Sequence, residues 1–475
     1  MKAVPGADVR AMGVQTIGCK KDTEVRRLGR FVAAADSASM TMEARDELRK
    51  RILDSVGVAI GALDGDPIRR VRDQLDDFGG RPIATLIGGG KTAPDRAAFY
   101  NGALVRYLDF MDSYLAKGET CHPSDNLGAV LAAAEYADQD GRTFLAAMAV
   151  AYQVQCRLCD VAPVRAKGFD HTVQGAYAVA SGVARALGLD AEKTANAIAI
   201  SGTCNNALRV TRTGALSQWK GLAYPNTAFV GTHASFLALR GITGPEEVFE
   251  GNKGFKETIA GPFEIEWGEE NLEAVKNTIL KKYDAEIHSQ SSIEGTLELR
   301  ARYGFRVPDI AKVEIEIFDV AYHIIGGGEE GDKTVIRTKE EADHSLQYMV
   351  AAALLDGNVL PAQYRPERLT GVDIQGLLRR IVVKPKEEYT ARFPAEMCTT
   401  VTVTLNDGSR YRIDKSDYEG FVTRPMGWES VIAKFNDVAA AFTSERARAR
   451  IIDAVQNIEK MRIRDFTAIL ADLTQ

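Results

Sequence analysis

Histidine is scarce in this chain, and its placement is uneven. The 475 residues hold six, at His122, His171, His233, His288, His323 and His344. Most sit beside Pro, Gly, Asp or Ser, near the ends of predicted elements rather than in mid-helix. Loop ends are where catalytic groups concentrate, and imidazole is the side chain best suited to proton transfer near neutrality. Three stretches surround such residues with further polar groups. In DFMDSYLAKGETCHPSDN (109–126), Asp109, Asp112, Ser113 and His122 border a loop that runs into a helix start. Free N–H groups and partial positive charge at a helix start suit a substrate carboxylate; the alternative is a capped loop with solvated carboxylates. In SQWKGLAYPNT (217–227), Lys220 stands just before a helix expected to begin near Pro225, where it could bind an anion; the alternative is an exposed lysine beside a buried Trp219. In AEIHSQSS (285–292), Glu286, His288 and Gln290 alternate and share one side if extended; a satisfied polar loop reads equally well. Lys253, Arg337 and His344 are further candidate cations. Asp, His, Lys and Arg together fit an anionic substrate and a proton transfer.

Other chemistries fail on spacing. Gly88-Gly89-Gly90-Lys91-Thr92 ends like a phosphate loop, but the glycine required five residues before Gly90 is Thr85. No G-x-G-x-x-G immediately follows a predicted strand, no histidine precedes a glutamate, and no serine sits in G-x-S-x-G. Cys156 and Cys159 form a C-x-x-C inside a predicted helix with no second pair, which favours buried packing over a metal or redox site. An iron–sulfur centre lacks its clustered thiolates.

The elements that must position these residues change character along the chain. Hydrophobic residues make up 45% and charged residues 26%, enough apolar material for a sizeable core, and the length suits two domains. Helical periodicity marks 46–62, 126–137 (with Ser124-Asp125 as cap), 143–158, 173–187, 191–200 and 225–239. These segments are rich in Ala and Gly, so a tight bundle with buried helices is expected. Beyond residue 280, KVEIEIF (312–318) alternates as a half-buried strand. TVTVTL, Asn406-Asp407-Gly408 and Ser409 to Ile413 read as a hairpin. Helices are expected at 292–302 and 345–355, and again at 428–442 and 445–457. The expected fold is therefore mainly α, with a helical domain split in sequence (1–279 and 422–475) around an inserted, smaller α+β domain (280–421). Residues 1 to about 24 carry no pattern and are expected to form a loose arm.

A net charge of −6 and the lack of a basic stripe argue against a nucleic-acid partner. No apolar run reaches the ~20 residues of a membrane span, and six scattered cysteines do not read as a disulfide scaffold. A cytoplasmic enzyme is the expectation.

Several of these stretches resemble the MmgE/PrpD family. The resemblance is carried by YLDFMDSYLAKGETCHPSDNLGAVLAAAE (107–135), KGLAYPNTAFVGTHASFLALRGITGPEEVFEGNKGF (220–255), AEIHSQ (285–290), ADHSLQYMVAAALLDG (342–357) and KSDYEGFVTRPMGW (415–428), in conserved order from about residue 28 onward. It implies a large helical domain built from both chain ends and an α+β lid, with the site between them. It also implies a homodimer with neither metal nor organic cofactor, and a small polycarboxylate substrate. Activities in the family include dehydration of 2-methylcitrate or citrate, decarboxylation of cis-aconitate and epimerisation of iminodisuccinate. All develop negative charge on a carbon next to a carboxylate.

Carried over by position, the resemblance points to Asp109, His122, His171, Lys220 and Tyr322 as catalytic groups, with His288 beside them and Ser113 keeping a hydroxyl where many relatives have threonine; Ser113 and His288, with Gln290, Arg337 and His344 from the residue patterns above, are the substrate-binding candidates. It gives His122 and Lys220 the carboxylates, Asp109 the orientation of His122, and His171 the acid or base role. The dehydratase branch is favoured over epimerase or decarboxylase. A non-catalytic helical binding protein is the remote alternative, and it predicts that these groups scatter instead of converging on one pocket.

Overall fold

The computed structural model describes residues 22–214 and 216–474. The expected N-terminal arm lies outside the described residues as far as position 21; Thr23 already stands at the N-terminal boundary of the first helix, Glu24–Ala34, without a side-chain capping bond. The chain is mainly α, as the periodicity predicts. Its buried apolar side chains form two main clusters. One draws on Val25 to Leu280 and again on Met426 to Leu473; the other draws on Ile279 to Phe421.

The first cluster is a helical bundle. Small residues set its spacing. A Cβ at Gly128 would lie 2.5 Å from the backbone nitrogen of Gly102, and one at Gly175 would lie 2.4 Å from the Tyr224 ring. The helices Pro94–Tyr107, Leu127–Tyr136, Thr172–Ala186 and Trp219–Leu239 therefore pack nearly backbone to backbone. The ends of these helices carry Arg106, Asp109, His122, His171 and Lys220. Close packing thus brings side chains about a hundred residues apart in sequence to one end of the bundle.

The second cluster covers a four-stranded sheet in the order Ile381–Pro385, Ile310–Ile317, Thr399–Leu405, Arg410–Lys415, with the first pair parallel and the others antiparallel. Val313 faces both Ile381 and Val403 in register. The buried alternation in Ile310–Ile317 turns toward the helices Gln290–Tyr303 and Leu346–Asp356, while the solvent face stays polar. Asn406-Asp407-Gly408 closes the hairpin with Gly408 at φ +89°.

Two local expectations are corrected. The helix expected from Pro225 starts at Trp219, with Pro225 inside it. Proline lacks an N–H and strains an interior turn, but the helix runs through Pro225 while buried against the helix Pro94–Tyr107. Ser124 does not cap the helix starting at Leu127. Its N–H and hydroxyl both go to Asp112 Oδ1, at 3.2 and 2.6 Å, across a 3₁₀ turn at Pro123–Asn126. Among the described residues no helix is long and apolar enough to cross a membrane.

Candidate active site

A small cavity of about 60 Å³ lies where the two clusters meet. The bundle contributes Arg106, Asp109, His122, His171, Arg209 and Arg212, and the inserted segment contributes Lys281, Glu286, His288, Ile324, Glu330 and His344. Four of the six histidines thus face one space. His233 and His323 do not: they are partly exposed beside Asp95 and Asp319.

His122 sits at the mouth of the 3₁₀ turn. Its Nδ1 lies 2.8 Å from the Asp112 carbonyl and 3.1 Å from Ser113 Oγ. Donation from Nδ1 to the carbonyl leaves the Nε2 lone pair for the cavity. The structure therefore hands the orientation of His122 to the Asp112 backbone and Ser113 rather than to Asp109. The Asp112 carboxylate is itself held by Ser124 and by Tyr152 Oη at 2.7 Å. His122 meets the His171 ring edge-on at 5.5 Å between centroids.

His171 lies 3.2 Å through Nδ1 from Asp170 Oδ1, and Asp170 Oδ2 accepts from Arg212 Nε at 2.7 Å. His171 Nε2 is buried and has no partner among the described residues. From the facing domain, His288 Nδ1 lies 2.7 Å from Glu286 Oε1, and its Nε2 is likewise buried and unpartnered. Two carboxylate–imidazole pairs with an unpartnered buried ring nitrogen therefore face the same cavity, and a third, His344 with Nδ1 2.6 Å from Asp343 Oδ1, lines it as well.

Electrostatics decide what these rings can do. Burial pushes His122 well below the ordinary imidazole range, and the neighbouring Arg106 adds to this. Burial also takes His171 down to about 3, against the pull of Asp170. Both are neutral at pH 7 and can accept a proton. Burial raises Glu286, but the contact with His288, together with His344 and Lys281, outweighs it and brings the carboxyl to about 2. Asp109 is held well below the usual carboxylate range: burial opposes this, but Lys281, Arg106 and Lys220 prevail.

Asp109 occupies left-handed backbone space at φ +59°, unusual for a residue with a Cβ and a mark of functional strain. Lys281 Nζ binds both its carbonyl and, at 2.9 Å, its Oδ1. Lys434, from the helix Trp428–Ala439, donates to the carbonyls of Phe110 (2.6 Å) and Lys281 (2.8 Å) and pairs with Asp54 at 2.7 Å. The C-terminal return of the chain thus pins both sides of the strained turn.

Lys220 is buried and lies behind the cavity wall. Its Nζ is 3.4 Å from Asp109 Oδ2, 3.0 Å from Asp343 Oδ1 and 3.0 Å from His344 Nδ1. The sequence alternative is inverted, since Trp219 is 47% exposed and Lys220 only 4%. Asp109, Asp343 and His344 are the one trio of potential metal ligands among the described residues, and the lysine ammonium sits between them. Cys156 and Cys159 are fully buried in the helix Gly141–Val161, with thiols raised by burial.

Of the remaining sequence candidates, Gln290 spends its whole amide on backbone. It accepts from Lys282 and Tyr283 and donates to Tyr283 and Ala285, shaping the segment between Lys281 and Glu286. Tyr322 is half-buried, two residues before the lining Ile324, and is not itself on the wall. Arg337 lines a different cavity, and Lys253 is bound to Glu257 on the surface. Sequence reasoning missed Arg106, Lys281, Arg212 and the acids Asp170 and Asp343. Asp directly precedes His at 170–171 and 343–344, a pattern that could have flagged the last two. The cations stand in ordinary helical or loop contexts and carry no such sign.

The arrangement is a polyanion site with proton-transfer groups on two walls. Arg106 is buried with only long contacts to Asp109 (3.5 Å) and Asp125 (3.9 Å), and Arg212 Nη2 is buried without a partner. These guanidiniums keep donors free for oxyanions. The sequence pattern of the MmgE/PrpD N-terminal domain matches residues 26–268, and that of the MmgE/PrpD C-terminal domain matches residues 283–460. The chain is 27% identical to the 2-methylcitrate dehydratase of Salmonella typhimurium LT2, over 89% of its own length and 92% of that protein. It is 29% identical to the 2-methylcitrate dehydratase of Cupriavidus necator, over 77% and 79%. It is also 28% identical to the alkylcitrate dehydratase phiI of a fungal species, over 79% and 78%.

Proposed function

The chain belongs to the MmgE/PrpD family and is a carbon–oxygen lyase; from that premise we propose that it dehydrates a small tricarboxylate, 2-methylcitrate or citrate. The observation that carries this reading is the pair of carboxylate-backed imidazoles, His171 and His288, facing one arginine-rich cavity from opposite domains.

The substrate carboxylates would be held by Arg106, the free edge of Arg212 and Lys281. Burial sets most of the depression of His171, and a bound anion offsets the further part due to Arg212 and Arg106, which returns some basicity to its Nε2 when substrate is present. His171 then takes the proton from the carbon beside a carboxylate, with Asp170 stabilising the imidazolium that forms. The C–H electron pair becomes the new C=C bond as the C–O bond of the neighbouring carbon breaks. His288 supplies the proton that lets the hydroxyl leave as water, and Glu286 holds its Nδ1. His122, neutral and held through Nδ1 by the Asp112 carbonyl, turns its Nε2 lone pair to the cavity and accepts from a substrate hydroxyl. Lys220 keeps Asp109 and Asp343 ionised behind the wall and so sets the field of the site. Glu330 reaches Arg209 at 3.3 Å across the cavity, and this contact would part to admit substrate. We take the working unit to be a homodimer that needs no metal.

Mass spectrometry of the purified protein with 2-methylcitrate, citrate, cis-aconitate and iminodisuccinate tests the proposal. Loss of water from one of the first two is expected. Conversion of cis-aconitate by loss of carbon dioxide, or epimerisation of iminodisuccinate alone, read by chiral chromatography ahead of the spectrometer because the mass does not change, overturns it.

A further inference from the structure

The cavity that holds the paired imidazoles has one side unlike the rest. Its wall consists of charged groups, imidazoles and Thr120, with two aliphatic side chains among them, Ile287 and Ile324. Ile287 is 1% exposed and belongs to the core of the inserted domain. Ile324, at 7%, is the more open of the two. It is therefore the apolar surface that a molecule in this otherwise polar space meets.

The local backbone fixes Ile324 in place. It lies in a π-helical turn, Tyr322–Gly326. The N–H groups of Gly327 and Gly328 both return to the Tyr322 carbonyl, the second at 3.1 Å, and Gln347 donates to the Gly326 carbonyl at 2.8 Å. A Cβ at Gly326 would lie 2.9 Å from Val383 Cγ1, so the turn sits directly on the strand Ile381–Pro385. Ala321 and Ile325 are fully buried in the same core. A surface held on both sides in this way has a set shape, and a preorganised surface selects by fit.

Substrate chemistry says what that surface can select. 2-Methylcitrate differs from citrate by one methyl group, carried on the carbon that loses its proton in the dehydration. In the reaction proposed above, that carbon turns its hydrogen to His171, on the bundle wall. A tetrahedral carbon then points its other substituents away from His171, toward the inserted domain. Its carboxylate can go to the cations. The methyl needs a neighbour that gives up no hydration on contact, because covering a charged group with a methyl costs the desolvation of that group. Ile324 is such a neighbour, and it comes from the domain that faces His171.

We propose that Ile324 receives the methyl group of 2-methylcitrate and sets the preference of this site for the methylated tricarboxylate over citrate. The inference rests on the dehydratase reading and adds the choice between its two substrates. One carbon more or less in a fitted apolar pocket changes kcat/KM by about 10- to 200-fold.

Steady-state kcat/KM for 2-methylcitrate and for citrate, measured on the parent, I324A and I324T, tests this, with circular dichroism to confirm folding. The parent is expected to favour 2-methylcitrate by about tenfold or more. I324A removes the contact, and I324T sets a hydroxyl against the methyl while keeping a β-branched side chain. Each should lower the ratio of the two constants by about fivefold or more. General damage to the fold would lower both constants and leave their ratio in place. I324A should also raise kcat/KM for the ethyl homologue relative to 2-methylcitrate, because the vacated space takes the longer chain. The inference is overturned if the parent favours citrate, or if the ratio in the folded variants stays within about twofold of the parent's. It is also overturned if the ethyl homologue gains nothing in folded I324A. These outcomes leave dehydration standing. A parent that dehydrates neither tricarboxylate sinks the dehydratase reading, and this inference with it.

Discussion

Replacing Asp170 with asparagine isolates the base half of the proposed reaction. Asp170 does not line the cavity and touches the chemistry only through His171, at 3.2 Å from its Nδ1. As a proton arrives on Nε2, an imidazolium forms beside a buried carboxylate. With an effective dielectric of about 20, that pair at that distance is worth about 5 kcal/mol. Arg212, 2.7 Å from the other oxygen, competes for the same charge, so the usable part is smaller. A loss of about 10³-fold in kcat follows, at 1.36 kcal/mol per decade. Asparagine can also turn its amide N–H toward Nδ1 and force the proton onto Nε2, which removes the lone pair altogether. KM should change little, because the side chain makes no substrate contact. Steady-state kinetics on the reacting tricarboxylate, with circular dichroism to confirm folding, provides the assay. A folded Asp170→Asn protein with kcat within tenfold of the parent would refute the base assignment.

The acid dependence of stability is set by two opposed pairs. Burial, with help from Lys220, holds His344 at about 4, and burial holds His171 at about 3, both under the ordinary 6.5, so the unfolded chain binds protons that the folded one refuses. Each ring therefore takes away up to about 1.4 kcal/mol per pH unit as pH drops from about 6.5 toward 4. Burial lifts Asp125 and Asp284 to about 7, so each adds a comparable amount over the same range. Asp125→Asn removes one gain, so its urea midpoint should fall between pH 7 and 4.5 more steeply than that of the parent, and an equal or shallower profile contradicts this. Lys434→Met strands Asp54. Burial pulls both partners toward neutrality, so the cost should sit near about 3 kcal/mol, the low end for breaking a buried pair. Activity should fall as well, because the Phe110 and Lys281 carbonyls lose their tie; denaturation and kinetics measure the two effects. Gly128→Ala drives a methyl to 2.5 Å from the Gly102 nitrogen, and should cost about 3 kcal/mol or more by forcing two helix backbones apart. A thermal melt within a degree of the parent would show the contact to be softer than drawn.

Much of the helix inventory could be read directly. The helix at Ala191–Cys204, the hairpin at Thr399–Lys415 and the strand at Ile310–Ile317 follow local periodicity and turn chemistry, which act over a few residues. Pro225 misled because its helix is buried against Pro94–Tyr107, more than a hundred residues away, and runs through the proline, and Ser124 misled because Asp112 takes its hydroxyl. The parallel strand Ile381–Pro385 is five residues long and defined by its partner rather than by a turn.

The sequence by itself determined the residue types available for chemistry, the clustering of His122, His171, His288 and His344 near element ends, and the mainly helical character of the chain. Tertiary structure alone decided which of them share a space. It put Lys220 behind the wall, moved Arg337 to a second cavity, turned Gln290 to the backbone, and recruited Arg106, Lys281 and Lys434. The reason is range. Periodicity and capping are energies between neighbours in the chain, whereas the protonation state and orientation of a buried group are set by charges and donors a few ångströms away in space, most of them contributed by distant segments.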